Sequence, residues 1–312
     1  MIDVEKFIDN QLKTWPMAAG NFDALRGVEV KELEVDGMPV KVQFNPARAV
    51  SSGAKVDAAS IKARKCFLCA ENRPAEQFGE QWRGGAGNEY TILVNPFPIF
   101  PRHLTIPDPR HTDQLIGGRM ADMIRLAREL NGYTVFYNGP RCGASAPDHM
   151  HFQAGNSDFL TLADALDNAE LEPLASENAS TLFAVDSLPL KLFVIDAANP
   201  EEGEALFDKL YRQMPVAEGE AEPMMNILCW ADGEKTRVAV IPRKRHRPSF
   251  YGTEGDDCMM LSPASVDLGG VFITPRRVDY DRMTPEVVGQ IYKELCLSSE
   301  ELKEISNRVK GI

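Results

Sequence analysis

Asp148-His149-Met150-His151-Phe152-Gln153 is the stretch whose reading decides the fold. As a β-strand it alternates, placing His149, His151 and Gln153 on one face and sending Met150 and Phe152 into a core behind them. The chain has five histidines, and two of them stand here one residue apart. They follow a Gly/Ser/Pro loop, Gly139-Pro140-Arg141-Cys142-Gly143-Ala144-Ser145-Ala146-Pro147. The combination reads as a nucleophile strand fed by a phosphate-binding loop.

His-x-His-x-Gln suits phosphorus chemistry. A neutral imidazole can attack a phosphorus atom and later leave as a good group, splitting one hard substitution into two easier ones. His151 is the expected nucleophile. Gln153, two residues along on the same face, can hold a nonbridging oxygen as charge shifts. His149 either orients the site or binds a metal. An isolated His-x-His is more often a hydrogen-bonded structural pair, and the flanking loop is what favours chemistry here.

Working outward, Val4, Phe7, Ile8 and Leu12 recur at helical spacing and predict an amphipathic helix over 2–13. Segments 28–35 and 38–44 alternate on either side of Asp36-Gly37 and predict a hairpin. Strands are expected at 90–95 and 103–106, a helix through Met120, Ile124, Ala127 and Leu130 ended by Asn131-Gly132, and a strand at 133–138. Two helices are expected at 285–295 and 298–309. Ile106-Pro-x-x-Arg-His111 recurs as Ile241-Pro-x-x-Arg-His246, each after a strand pair, which suggests a duplication aligning 90–106 with 225–241. The expected division is a catalytic half, 1–165, and a second half, 166–312, that lacks the histidine motif and helps to bind substrate.

Bulk properties narrow the class. A net charge of -12 disfavours a general nucleic-acid binder, because such proteins neutralise phosphates with a basic surface. No stretch reaches the roughly 20 apolar residues that span a bilayer, so a cytoplasmic protein is expected. The six cysteines are scattered apart from Cys66 and Cys69, a pattern that predicts no structural disulfides. Cys66-x-x-Cys69 has the spacing of half a tetrahedral zinc site, which His103, His111 or His149 could complete. The basic run from Arg243 and Lys244 is a candidate phosphate clamp, and the loops at Asn45 to Arg48, Asn95 and Asn138-Gly139 are candidate contacts to base or phosphate. The sequence has no phosphate loop of the GxxxxGK[ST] type, no dinucleotide fingerprint and no serine elbow.

Phe136-Tyr137-Asn138-Gly139, the Gly143 to Pro147 loop and His149-Met150-His151-Phe152-Gln153 together resemble the transferase branch of the histidine triad superfamily. That branch includes galactose-1-phosphate uridylyltransferase, diadenosine tetraphosphate phosphorylase and the GDP-hexose phosphorylases. Gln43-Phe44-Asn45-Pro46-Ala47-Arg48, Pro242-Arg243-Lys244 and the segment Leu261 to Gly270 look most like the last of these. The resemblance implies an α+β, HIT-like antiparallel sheet with flanking helices, in two related halves. It implies a covalent nucleotidyl-His151 assisted by Gln153, with phosphate contacts from Asn138, Gly139 and Ser145. GDP-hexose phosphorolysis is the expected reaction; uridylyltransferase exchange, dinucleoside polyphosphate phosphorolysis and a noncatalytic nucleotide- or zinc-binding module are the alternatives. Partners would be a nucleotide sugar or dinucleoside polyphosphate with phosphate or a sugar phosphate, and the relatives suggest a homodimer. Zinc-bearing relatives imply a structural zinc on Cys66, Cys69, His111 and His149, with His103 on the active-site side of its strand. There are two departures. An extra residue separates Ser145 from His149 relative to the uridylyltransferase pattern, and GDP-hexose phosphorylases are not marked by Cys-x-x-Cys.

Overall fold

Apolar periodicity and turn chemistry define most of the elements in the computed structural model, which describes residues 2–49, 57–253 and 258–312. Helix α1 (Val4–Thr14) is capped by the Asp3 side chain and buries Val4, Phe7 and Ile8. It is followed by α2 (Pro16–Leu25). The hairpin β1 (Glu29–Val35) and β2 (Met38–Phe44) pairs Val35 with Met38. Its turn has positive φ at Asp36 (46°) and Gly37 (80°), the mirror-image turn that matches strand twist. Next come α3 (Ala58–Ala63), β3 (Gly79–Arg83), β4 (Glu89–Val94), β5 (His103–Pro107), α4 (Met120–Glu129), β6 (Tyr133–Asn138) and β7 (His151–Asn156). After α5 (Leu162–Asp167) the chain forms β8 (Glu172–Glu177), β9 (Ser180–Val185), β10 (Leu192–Ala197), α6 (Pro200–Tyr211), β11 (Met225–Asp232) and β12 (Lys235–Pro242). It ends with α7 (Ser265–Leu268), β13 (Val271–Thr274), α8 (Arg277–Arg282), α9 (Pro285–Leu295) and α10 (Ser299–Lys310).

The fold is α+β, built on a ten-stranded antiparallel sheet ordered β3-β4-β5-β7-β6-β11-β12-β10-β9-β8. Read inward from each edge, the two sides have the same connectivity: three strands in sequence, a helix, then two strands that exchange places. The halves meet where β6 pairs antiparallel with β11, Asn138 opposite Asn226. This is an internal duplication, but not in the alignment that the Ile-Pro-x-x-Arg-His repeat suggests. The first copy of that motif ends β5 and the second ends β12, whereas the counterpart of β5 is β10 and that of β12 is β7. A short motif marks a strand end leading into a loop, and this fold has many such ends. β12 carries no histidine at the place of β7.

Alternation assigns the sheet's two faces. Leu104, Ile106, Val135, Tyr137, Phe152, Ala154, Ile227 and Val240 point to one core, where α1, α4, α6 and α10 cover them. Phe136, Leu228, Trp230, Val194 and Ile241 point to the other, beneath α5, α9 and the small sheet β1-β2-β13. Among the described residues no helix is long and apolar enough to cross a membrane, and the six cysteines are free thiols.

The related helices α4 and α6 pack against each other with a glycine at the contact. A Cβ on Gly203 would lie 2.4 Å from Ile124 Cδ1 and 2.8 Å from Ala197 Cβ. Inside an isolated helix, Gly→Ala gains up to about 1 kcal/mol. Here we expect Gly203→Ala to lose about 1–3 kcal/mol by overpacking, measured as a lower urea midpoint; an unchanged or higher midpoint would show that the α4/α6 contact yields.

Candidate active site and metal-ligand group

The strand bearing the histidine motif begins at His151, three residues later than alternation from Asp148 suggests. Before it the backbone is a turn: His149 N–H donates to Ala146 O (3.2 Å) and Met150 N–H to Thr112 O (2.7 Å). His149 and His151 therefore do not share a face. Met150 and Phe152 do lie in the core.

His151 is buried, and its Nδ1 lies 2.8 Å from the carbonyl of His149. A carbonyl only accepts, so Nδ1 carries the proton and Nε2 is left as the bare, nucleophilic nitrogen. Burial lowers the imidazole from 6.5 to about 4, which keeps it neutral near pH 7. The side chain lines a cavity of about 830 Å³, within the usual size of small-molecule sites.

A chain of donors sets the orientation of Gln153. Ile99 N–H donates to His103 Nδ1 (3.2 Å), so the proton of His103 is on Nε2, 3.1 Å from Gln153 Oε1. Asn95 takes Phe97 N–H on its oxygen (2.9 Å) and donates its NH2 to Thr105 (2.9 Å) and Gln153 Oε1 (3.3 Å). With its oxygen engaged twice, Gln153 has its NH2 left for the cavity that it lines. Burial takes His103 down to about 3, so it stays a neutral donor.

Asn138 is fixed in the same manner. Its oxygen accepts from Asn226 Nδ2 (2.9 Å) and from Ser265 N–H (2.8 Å) and Oγ (2.7 Å), which leaves its NH2 at the cavity wall. Arg48 and Ser145 also line the cavity. Other expected contacts lie off it. Asn45 is buried and donates to Gln43 Oε1, and Gly139 backs onto Met225 O, 2.8 Å from where a Cβ would stand. Lys244 pairs with Glu301 (3.3 Å). Arg243 is buried, donating to Asn226 Oδ1 (2.7 Å) and to the carbonyls of Pro263, Arg245 and His246. It shapes the loop that brings His246 and Arg247 to the cavity wall. The basic run thus contains cavity residues, but alternation does not extend into an irregular loop to identify them. Asp267, also on the wall, has no pattern in the sequence to mark it; burial raises its carboxyl to about 6 against the pull of backbone donors and Arg48.

His149 turns away from the cavity. Its Nε2–H donates to Asp108 O (2.7 Å), and its bare Nδ1 lies 3.2 Å from Cys66 Sγ and 3.6 Å from Cys69 Sγ. His111 Nδ1 is 3.2 Å from Cys69 Sγ. The four ligand atoms lie within 4.8 Å of one another. Bonds of 2.0–2.3 Å in a tetrahedron set ligand atoms about 3.5 Å apart, so two thiols and two imidazoles so spaced fit a metal centre. Asp108 O supplies the second bond that such imidazole ligands usually make. Asp108 is itself buried and fixed by Arg119 (2.8 Å) and Arg110 (3.1 Å). The segment carrying the cysteines lends Ser60, Arg64, Phe67 and Leu68 to the cavity wall.

The fold is α+β of HIT-like type, a ten-stranded antiparallel sheet with flanking helices. More particularly, residues 7–156 match a family model described as a domain of unknown function, DUF4922, and residues 166–312 match the GDPGP1-like, C-terminal domain. Yeast Ap4A phosphorylase Apa2 has a similar fold: TM-score 0.61 at 20% identity, covering 91% of this chain and 97% of that one. Its complexes with AMP (21% identity, covering 90% and 94%) and with Ap4A (20%, covering 93% and 98%) each give a TM-score of 0.59. No curated protein matches the chain.

Proposed function

We propose that this chain is a nucleotidyl-transferring phosphorylase acting through His151, with a GDP-hexose as the first-choice substrate. The observation that carries the reading is the single tautomer of His151, whose bare Nε2 is at a cavity that Gln153 and Asn138 also line with NH2 groups. Nε2 attacks the α-phosphorus of the donor. The P–N bond forms as the bridging P–O bond breaks, and hexose 1-phosphate leaves with the bonding electrons. Gln153, Asn138, Ser145 and Arg247 are positioned to bind the phosphate oxygens as charge shifts. Inorganic phosphate then attacks the same phosphorus and displaces the imidazole, yielding GDP. Nδ1–H stays bonded to the His149 carbonyl throughout, which favours the cationic imidazole of the intermediate.

The GDP-hexose choice rests on the resemblance of 40–48 and 242–270 to GDP-hexose phosphorylases and on the GDPGP1-like match. The likeness to Apa2 in complex with Ap4A favours a second reading, in which a dinucleoside polyphosphate is the donor to the same histidine. We further propose that zinc occupies Cys66, Cys69, His111 and His149. When bound it would act structurally, tying the cysteine segment and one wall of the cavity to the residue before β7.

Mixing the protein separately with a GDP-hexose, a UDP-hexose and diadenosine tetraphosphate, then measuring intact mass away from acid, should show a gain of one nucleoside monophosphate with the true donor. His151→Ala should abolish that gain while keeping its thermal unfolding transition; an adduct persisting in this variant would refute the nucleophile. Because burial holds His151 at about 4, adduct formation should stay level down to about pH 5. A decline centred near 6.5, where an ordinary histidine gains its proton, would contradict the buried neutral imidazole. His111→Ala should lose bound zinc and melt at a lower temperature; unchanged zinc by elemental analysis would remove this ligand.

A further inference from the structure

The ladder between β6 and β7 is interrupted beside the nucleophile. Its last pair is Phe136 with Gln153, and the same register would set Asn138 opposite His151. Instead the side chain of Gln114, wholly buried in the loop between β5 and α4, lies between them. Its Oε1 accepts His151 N–H (2.7 Å), and its Nε2 donates to both His151 O and Asn138 O (3.0 Å each). One amide thus takes over the hydrogen bonds that the strands would have made to each other. Gln114 is held in turn: its N–H donates to Pro147 O (3.2 Å), and Tyr137 Oη lies 3.0 Å from its carbonyl.

We propose that Gln114 is a positioning residue for the nucleophile, an inference that rests on the function proposed above. Two strands in uninterrupted register would draw the backbone of His151 onto β6. The wedge holds them apart without leaving a buried polar group unpaired. It fixes the backbone of His151 relative to the carbonyl of His149, and so maintains the Nδ1–H bond that leaves Nε2 bare. Gln114 does not line the cavity. Its loss therefore acts on the rate of the chemical step and leaves nucleotide affinity intact.

The test uses the full, metal-loaded chain with histidine labelled in nitrogen-15. Long-range nitrogen–proton correlation should show wild-type His151 as the Nδ1–H tautomer alone, and Gln114→Leu as a mixture containing the Nε2–H form. Zinc content should be equal in the two proteins, so that a loosened His149 is not the cause. Adduct formation should slow on the order of a hundredfold, while Kd for GMP and AMP by calorimetry changes less than about threefold. If Gln114→Leu does not fold, Gln114→Glu serves, since it retains the shape and the acceptor for His151 N–H and loses both amide donors. Either variant, folded and with an unchanged tautomer and adduct rate, would overturn the proposal. Absence of any adduct in the wild type would instead overturn the functional reading, and the tautomer measurement would still decide the role of Gln114.

Discussion

The antiparallel pairing of β6 with β11 is the constraint on which the rest of the molecule depends. It joins two units of the same connectivity into one sheet and sets Asn138 opposite Asn226. That juxtaposition lets the second unit determine how a residue of the first presents itself. Arg243 donates to the oxygen of Asn226, the NH2 of Asn226 donates to the oxygen of Asn138, and the NH2 of Asn138 is left at the cavity. An amide side chain has a donor end and an acceptor end, so engaging one end sets the direction of the other. Gln153 is aimed by the same rule through His103 and Asn95. Polarity in this site is thus largely a matter of which amide oxygens are already occupied.

Much of this was legible in the residues. The hairpin at Asp36-Gly37, the α4-to-β6 turn at Asn131-Gly132 and the strands of the first half follow from local chemistry, because turn residues and periodicity act over a few neighbours. The duplication is legible in outline only, since one six-residue match is too short to set a register. Alternation in His149-Met150-His151 is compatible with a strand, so the sequence alone points to a start of β7 earlier than His151. What ends the strand at His151 is a bond from Met150 N–H to Thr112, distant in sequence. Arg243 was expected at the substrate for a similar reason: a basic run shows where charge is, while burial and partners decide what each guanidinium does. The four residues of the metal-ligand group do come together, though joining the histidines to Cys-x-x-Cys took a resemblance.

The cysteine segment shows what packing alone supplies at this corner. Its satellite core consists of Cys66, Leu68 and Ala146, with Cys69 against it, far smaller than the two main clusters. Burial on that scale gives little hydrophobic stabilisation against the entropy of ordering a loop. The Arg64 to Asp148 pair (2.8 Å) adds a partly exposed ion pair, a small contribution in water. Cys66, Cys69, His111 and His149 bring four ligand atoms from three separate segments together, and the last of them is the residue whose carbonyl holds the His151 proton.

The sharing of the site between units has a consequence for synthesis. His151, Gln153 and the loop before them emerge early, but Arg247, Ser262 and Asp267, which complete the cavity, lie in the last part of the chain. β11, which supplies Asn226, is also made after the whole first unit. A ribosome-bound first half therefore carries His151 without the residues of the second unit that complete the cavity around it. The cavity is complete only when the far end of the chain has folded back, so the order of translation delays its closure until the last part of the chain is made.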